Sequence, residues 1–189
     1  EGDDCWSSPH KLSKQVQFLK HNTECSICFH DAVVEKYDTN NELVETLPFY
    51  ASTPSSRVDF AEFVAGFHPH TGACLFVNKG DCFRPIFERK LIPFTKTMIY
   101  CVLGKGELAG FIPEAMSVYR VHAGGVFSAI SQEKQTLMSN SGLIPAWRYF
   151  SAPAQRKLFS TRLAENFTTL SLVYLRRGNI IAFVKSFAW

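Results

Sequence analysis

The sequence predicts an α/β fold up to residue 128, followed by a helical extension over residues 129–189. Two observations lead to this prediction. Up to residue 128, segments with apolar residues at helical spacing alternate with short runs of β-branched and aromatic residues that favour strands. After Ser128 the remaining patterns are helical. We therefore expect a sheet combined with helices, to which more helices are added at the end of the chain.

The first predicted helix begins at Ser8, because serine is a good N-cap residue and Pro9 suits the first helical position. The pattern stops at His21, where polar residues follow. Three apolar residues recur at helical spacing, namely Leu12, Val16 and Leu19. They predict a short amphipathic helix.

The middle of the chain contains five further segments. Residues 26–34 have strand propensity with partial alternation, and the polar stretch 36–57 predicts a surface loop or a hairpin insertion. A helical turn is expected over 59–67, and a buried strand over 71–77. The mostly apolar segment 94–103 is helical by pattern.

Three helices are expected near the C-terminal end, over residues 130–138, 154–174 and 179–187. Arg176, Arg177 and Gly178 together form a helix end, since basic residues favour the C-terminal dipole and glycine supplies the cap. Two interpretations stay open. The helices pack on the preceding domain or on each other, or this basic extension, including Trp147 and Trp189, rests on a membrane surface.

Composition sets the broad class. A chain of 189 residues with 46% hydrophobic content can build the core of one domain. The formal charge of +3 is too small and too evenly spread for nucleic-acid binding. The sequence has no 18-residue apolar stretch, so no transmembrane helix is expected. We expect a cytoplasmic location, with peripheral contact at the inner membrane face as a further possibility.

Six cysteines occur, and Cys25 and Cys28 have the spacing of a redox or metal knuckle. They fall in a predicted strand, which lacks the tight turn that such a knuckle needs. Reduced, partly buried thiols are therefore expected rather than a zinc site.

The opening turn is acidic, with Glu1, Asp3 and Asp4 around a single glycine, Gly2. Carboxylate oxygens are the ligands that Mg²⁺ or Mn²⁺ prefers, and the glycine lets the backbone bend around one ion. The turn is therefore a candidate metal site. A solvated acidic turn is the alternative explanation.

Two separated blocks resemble one family. Glu1 to His30, EGDDCWSSPHKLSKQVQFLKHNTECSICFH, is similar to the middle of bacterial inverting glycosyltransferases of the GT-A family-two group. The block from Gly110 to Ser128, GFIPEAMSVYRVHAGGVFS, is similar to the Tyr-Arg-X-His-X-Gly-Gly segment of that family. The resemblance covers residues 1–128 well and the remainder loosely.

The resemblance implies a partial GT-A fold with a mixed sheet, in which residues 1–128 form the metal and acceptor half. In the family, nucleotide-binding β/α structure precedes the acidic motif, so this chain, which begins at the motif and without methionine, is expected to be a fragment. The resemblance implies that Glu1, Asp3 and Asp4 bind the cation. It also implies that His122 holds the metal or the donor diphosphate. The implied cofactor-binding residues are Arg120, Gly124 and Gly125.

One departure from the family concerns the general base. The family places an aspartate before the second block, and this sequence has Thr95, Lys96 and Thr97 there. A lysine with an ordinary pKa is protonated at neutral pH and is a poor base. Either another acid, Glu88 or Glu107, takes the role, or the base has been lost.

His68, Pro69 and His70 form a possible metal pair, but the proline imposes an extended bend and no acidic residue adjoins them in the sequence. We therefore expect no ligand role there. By contrast, His122 precedes two glycines that let a loop approach phosphate closely.

Two classes of function follow. The first is an enzyme that moves a sugar from a nucleotide-diphosphate donor to a hydroxyl of a glycan or lipid-linked acceptor, with Mn²⁺ or Mg²⁺ as cofactor and little activity expected of the fragment alone. The second is a catalytically silent module that binds a glycan or a protein partner. The acidic turn and His122 favour the enzyme, whereas Lys96 and its neighbours favour the silent module.

Overall fold

A computed structural model describes residues 4–90, 95–124 and 130–187 of the chain. The protein is α/β, with a mixed sheet followed by helices, as the sequence predicts. Within the described ranges the strands are β1 (Cys5–Trp6), β2 (Cys25–Tyr37), β3 (Leu43–Pro48), β4 (Arg57–Val58), β5 (Cys74–Phe76) and β6 (Leu108–Val121). The helices are α1 (Lys11–His21), α2 (Phe60–Ala65), α3 (Arg84–Glu88), α4 (Lys96–Leu103), α5 (Gln132–Tyr149), α6 (Pro153–Arg176) and α7 (Ile180–Phe187), with short 3₁₀ turns at Thr71–Ala73 and Gly80–Phe83.

The centre of the sheet is the parallel pair β2 and β6. The strand order is β1-β6-β2-β3, while β4 pairs with the start of β6 and β5 pairs with β2. The pairs that flank the centre are antiparallel. One register shift of the central pair lies between His30 and Asp31, opposite Pro113, which has no N–H to donate to the ladder.

The core lies on one face of the sheet. Ile27 and Phe29 of β2 are fully buried there with Ala109 and Phe111 of β6. The helices that cover this face include the C-terminal ones, since Phe159 of α6 belongs to the same hydrophobic cluster. The helical extension therefore shares its core with the sheet.

Helix α1 covers the opposite face of the sheet. Side chains alternate along a strand, so Gly110 faces away from the core side on which Ala109 and Phe111 lie. An added Cβ at Gly110 would lie 2.1 Å from the ring of Phe18. Gly110 thus allows α1 to lie directly on β6.

The sequence predicted the wrong buried face for α1. Leu12 and Val16 are exposed, whereas Lys11 and Gln15 are buried. Gln15 donates hydrogen bonds to the carbonyls of Cys28, at 3.2 Å, and Ala73, at 2.8 Å. Because these carbonyls need donors, a polar side chain occupies the buried position.

The start of α1 also differs from the prediction. The helix begins at Lys11 instead of Pro9, and its N-cap residue, His10, makes no side-chain cap. The Ser8 hydroxyl accepts from the N–H of His10, at 3.3 Å, before the helix starts. Ser8 therefore closes the turn that leads into the helix.

Several other elements are confirmed. Strand β2 contains the predicted segment 26–34, and the polar stretch 36–57 forms a hairpin with β3. Asp59 caps α2 in a capping box with Glu62. Helix α5 continues to Tyr149, beyond the predicted end at residue 138. Among the described residues, no helix combines the length and apolar composition needed to cross a membrane.

Candidate functional site

The pairing of β1 with β6 brings Asp4, the last residue of the acidic turn, next to the strand that leads to His122. Cys5 lies opposite Val118, and Trp6 lies opposite Ser117. Asp4, which precedes β1, accepts a hydrogen bond through Oδ1 from the N–H of Arg120, at 3.0 Å. Arg120 lies two positions before His122 on the same segment. Asp4 therefore lies beside the strand that leads to His122, although the Asp4 and His122 side chains line separate clefts.

A buried histidine holds the other oxygen of Asp4. Asp4 Oδ2 lies 3.1 Å from Nε2 of His70, and Nδ1 of the same ring lies 3.2 Å from Oγ of Ser117. A neutral His70 with its proton on Nε2 donates to the carboxylate and accepts from the hydroxyl. The Asp4 carboxylate is thereby held in one orientation by two donors.

Aromatic rings fix the position of His70. The ring of Phe49 lies 5.5 Å from it, and the ring of Tyr119 lies 5.3 Å from it. His70 is 5% exposed and Ser117 is 1% exposed, whereas the Asp4 side chain is 33% exposed. A serine nucleophile must reach its substrate, so this chain of aspartate, histidine and serine is not a hydrolase triad. It presents the carboxylate to solvent.

The sequence has no acidic residue beside His70, yet the fold places Asp4 against its ring. Asp4 reaches this ring across 66 positions of the chain, and the contact exists because β1 pairs with β6. His70 is the residue of the candidate site that the sequence did not indicate. The local sequence around it contains no carboxylate that could have indicated the contact.

His122 and Arg120 line a shallow cleft with Tyr37 and Asn41. Nδ1 of His122 accepts a hydrogen bond from the N–H of Gly124, at 3.2 Å. The Arg120 side chain pairs with Glu35, with Nε 3.6 Å from Oε2. Arg120 thus contributes its backbone to Asp4 and its guanidinium to an ion pair. Of the other predicted site residues, Glu1, Asp3 and Gly125 lie outside the described residues.

Thr95, Lys96 and Thr97, which stand where the family has its general base, form the N-terminus of α4. Thr95 is the N-cap residue, and its hydroxyl is buried with no hydrogen-bond partner among the described residues. This hydroxyl packs against α5, since a Cβ added at Gly142 would lie 2.2 Å from it. Lys96 is exposed as a residue, yet burial of its amine lowers the pKa of Lys96. Thr97 is buried.

Helix α4 also supports the loop that carries His70. The Tyr100 hydroxyl donates to the carbonyl of Pro69, at 3.3 Å, and the Cys74 thiol donates to the carbonyl of His70, at 3.4 Å. The positive charge of Lys96 contributes to the lowered pKa of His68, after the larger effect of burial. The N-terminus of α4 and the His70 loop are therefore neighbours. The alternative acids are placed elsewhere in the structure: Glu88 ends α3, and Glu107 forms an ion pair with Lys79.

All six cysteines are free thiols that form no disulfide bond. Burial raises the pKa of Cys28, Cys74 and Cys101 to about 12. A thiol must lose its proton to act as a nucleophile or a metal ligand. These three thiols therefore remain protonated at neutral pH, and Cys74 uses its proton in the hydrogen bond to the His70 carbonyl.

The described residues contain no cluster of three or more His, Cys, Asp and Glu side chains that could hold a metal ion. Asp4 is the one predicted carboxylate ligand that they include. Its oxygens each have a further lone pair, so the hydrogen bonds from His70 and Arg120 leave room for a cation. The type of donor fits Mg²⁺ or Mn²⁺.

No protein-family model matches the chain. The chain is similar to proteins described as uncharacterized from Mycobacterium bovis and from two strains of Mycobacterium tuberculosis, each 27% identical over 145 residues. These matches cover 75% of this chain and 39% of each relative. The chain thus spans about two fifths of the length of the curated relatives it matches.

Proposed function

We propose that this chain is the metal and acceptor half of an inverting glycosyltransferase of the GT-A family-two type. The enzyme would move a sugar from a nucleotide-diphosphate donor to a hydroxyl of a glycan or lipid-linked acceptor. The observation that carries this proposal is the hydrogen bond from the Arg120 N–H to Asp4, which joins the acidic turn to the segment that leads to His122. The resemblance of both segments to the same family adds to it.

Asp4 is the residue that would hold the cation, together with Glu1 and Asp3 of the same turn. His70 and the Arg120 N–H orient its carboxylate, and supporting contacts of this kind strengthen metal sites. A bound Mn²⁺ or Mg²⁺ supplies positive charge that offsets the charge of a departing diphosphate. The role of the protein here is to fix the carboxylate before the ion arrives.

His122 fits a diphosphate contact better than a metal bond. Its Nδ1 accepts from the Gly124 N–H, so a neutral ring carries its proton on Nε2. A nitrogen that carries a proton donates a hydrogen bond and has no lone pair for a metal. We therefore assign His122 to an oxygen of the donor diphosphate and leave the cation to the acidic turn.

Titration of the chain with Mn²⁺, followed by electron paramagnetic resonance, tests the metal assignment. Asp4→Asn should weaken Mn²⁺ binding by about tenfold or more, because it removes a charged ligand. Asp81→Asn is the matched control, since this carboxylate is 74% exposed and pairs with Arg84 on another part of the surface. No Mn²⁺ binding by the wild-type chain, or equal binding by Asp4→Asn, would refute the assignment.

Pyrophosphate tests the role of His122. His122→Ala should leave Mn²⁺ binding within about twofold and should weaken pyrophosphate binding in the presence of Mg²⁺ by about tenfold, since one hydrogen bond to a charged group is lost. His21→Ala, at an exposed position of α1, is the control. If His122→Ala loses Mn²⁺ and pyrophosphate together, the histidine is a metal ligand instead.

A silent binding module is the second candidate. The α4 N-terminus has no carboxylate, and the Thr95 hydroxyl is packed against α5 at Gly142. Mn²⁺-dependent hydrolysis of nucleotide sugars, measured for this chain and for longer forms of the protein, separates the two candidates. A silent module shows no hydrolysis. If the protein is instead an enzyme impaired by the loss of its general base, Lys96→Asp should raise sugar transfer to an acceptor.

A further inference from the structure

Helix α7 and the end of α6 have an unusual surface. Five large apolar side chains there are between 49% and 72% exposed, and they are Leu172, Leu175, Ile180, Ile181 and Val184. Meanwhile Ser186 of α7 is buried. A helix that packs on a protein core normally buries its apolar residues and exposes its polar ones. We call these five residues the C-terminal apolar surface.

The orientation of α7 is fixed by polar contacts on its inner side. The hydroxyls of Ser171 and Ser186 lie 2.5 Å apart and join α6 to α7. At the other end, Asn179 Oδ1 accepts from the N–H of Ala182, at 3.1 Å, and closes the first turn. Each hydroxyl also lies near a carbonyl of its own helix, Ser171 near Phe167 and Ser186 near Phe183. Rotating the helix to bury Ile181 would separate the two hydroxyls and move Ser186 out of its buried position. The apolar face is therefore held outward.

The charged residues within this segment of the chain are all basic. Residues 166–189 contain no Asp or Glu, and their basic residues are Arg176, Arg177 and Lys185. Arg176 and Lys185 are exposed, whereas Arg177 pairs with Glu133 of α5. Exposed apolar residues beside basic ones are the pattern of helices that lie on anionic membranes.

A second copy of the chain is an alternative occupant of this apolar surface. Two copies facing each other through α7 would bring their arginines and lysines close together, and like charges oppose such pairing. An anionic bilayer supplies the opposite charge as well as an apolar interior. The charge pattern thus favours a lipid surface.

We propose that the C-terminal apolar surface docks on an anionic membrane, with α7 lying in the plane of the headgroups. Helix α7 has eight residues and is about 12 Å long, so it rests on one leaflet. Ile181 and Val184 enter the acyl region while Arg176 and Lys185 meet lipid phosphates. This surface acts independently of sugar transfer.

This docking surface differs from the membrane contact predicted from the sequence, which included Trp147 and Trp189. The Trp147 indole donates to the Ser160 hydroxyl at 3.1 Å, and the Arg156 guanidinium lies 5.1 Å from its ring centre. Trp147 is therefore engaged between α5 and α6. Trp189 lies outside the described residues.

Vesicle co-sedimentation tests the proposal. The chain is mixed with phosphatidylcholine vesicles, or with vesicles that contain about one third phosphatidylglycerol. The wild type should bind the anionic vesicles at least about tenfold more strongly than the neutral ones. The double variant Ile181→Ser and Val184→Ser should lose about tenfold or more of that binding, because two inserted side chains are removed.

The matched control is Leu43→Ser with Val44→Ser, since these residues of β3 are apolar and also more than half exposed. It should bind anionic vesicles like the wild type. The variant Arg176→Gln with Lys185→Gln should lose the preference for phosphatidylglycerol and the sensitivity to salt. Circular dichroism verifies that each variant is folded.

Three results would overturn the proposal. The first is a lack of binding of the wild type to anionic vesicles. The second is equal binding by the wild type and the Ile181 and Val184 variant. The third is a dimer of the wild type, measured by light scattering without lipid, that this variant converts to a monomer, because the surface would then serve self-association.

Discussion

Asp4 Oδ2 lies 3.1 Å from His70 Nε2, although 66 positions separate the two residues in the chain. The contact links the start of β1 to the loop before β5, and both segments meet β6. It gives the predicted metal ligand Asp4 a rigid support. The contact therefore couples the stability of the fold to the geometry of the proposed site.

A double-mutant cycle measures this coupling. Asp4→Asn and His70→Gln each remove one partner, and the double variant should be less destabilised than the sum of the two, by about 1 kcal/mol. Urea unfolding supplies the free energies. Additive effects would show that the pair contributes nothing, and Asp81→Asn combined with His70→Gln serves as the additive reference.

Gln15 should matter more for stability than its buried neighbour Lys11. Gln15→Leu removes the buried side-chain donor to the carbonyls of Cys28 and Ala73, and we expect a loss of about 2 to 3 kcal/mol. Lys11→Met removes a buried amine, whose partners are Gln15 Oε1 at 2.8 Å and the Trp6 ring, and should change stability by no more than about 1 kcal/mol. Urea unfolding at neutral pH compares the two, and the reverse order would contradict the assigned role of Gln15.

The pH dependence provides a second measurement on Lys11. Burial lowers the pKa of Lys11, so the unfolded chain holds this proton to higher pH than the folded chain does. Where the unfolded state binds more protons, stability rises with pH. From neutral pH towards pH 10, the wild type should therefore gain stability relative to Lys11→Met.

These two residues also show what the sequence could and could not predict. The length of α1 and the position of β2 follow from local patterns, and both predictions are close to the structure. The buried face of α1 is set by the distant carbonyls of Cys28 and Ala73, which periodicity does not register. Apolar spacing alone therefore selected the wrong side of the helix.

The candidate site was predictable to a similar degree. The residue types of the acidic turn made it a candidate, and His122 followed from the family resemblance and the two glycines after it. The strand pairing places Asp4 beside the segment that leads to His122. His70 was missed because its acidic partner is distant in the chain. The end of α5 was missed for a different reason, since Gly142 and Pro145 are poor helix residues that tertiary packing overrides.

Acid should unfold the protein partly through His68. Burial, with smaller effects of Lys96 and Arg162, lowers the pKa of His68 to about 4. The unfolded chain takes up this proton near pH 6.5, so stability falls as the pH drops below that value and stops falling near pH 4. From pH 7 to pH 5 this histidine should remove about 2 kcal/mol.

The variant His68→Phe keeps a ring against Tyr100, whose centre lies 6.0 Å away, and removes the titrating group. Its loss of stability between pH 7 and pH 5 should be smaller than that of the wild type by about 2 kcal/mol. His21→Phe, at an exposed position of α1, should keep the wild-type acid sensitivity. Equal acid sensitivity of His68→Phe and the wild type would contradict this prediction.

Gly110 provides the last test, because it sets the distance between α1 and β6. In Gly110→Ala the new Cβ would lie 2.1 Å and 2.3 Å from two ring atoms of Phe18, so the ring or the helix must move. We expect a loss of about 1 to 3 kcal/mol, measured by urea unfolding. Phe18→Leu in the same chain should restore most of the loss, since a shorter side chain vacates the space that the methyl group needs. If the two substitutions prove additive, Phe18 is not what constrains Gly110, and the close approach of α1 to the sheet must have another cause.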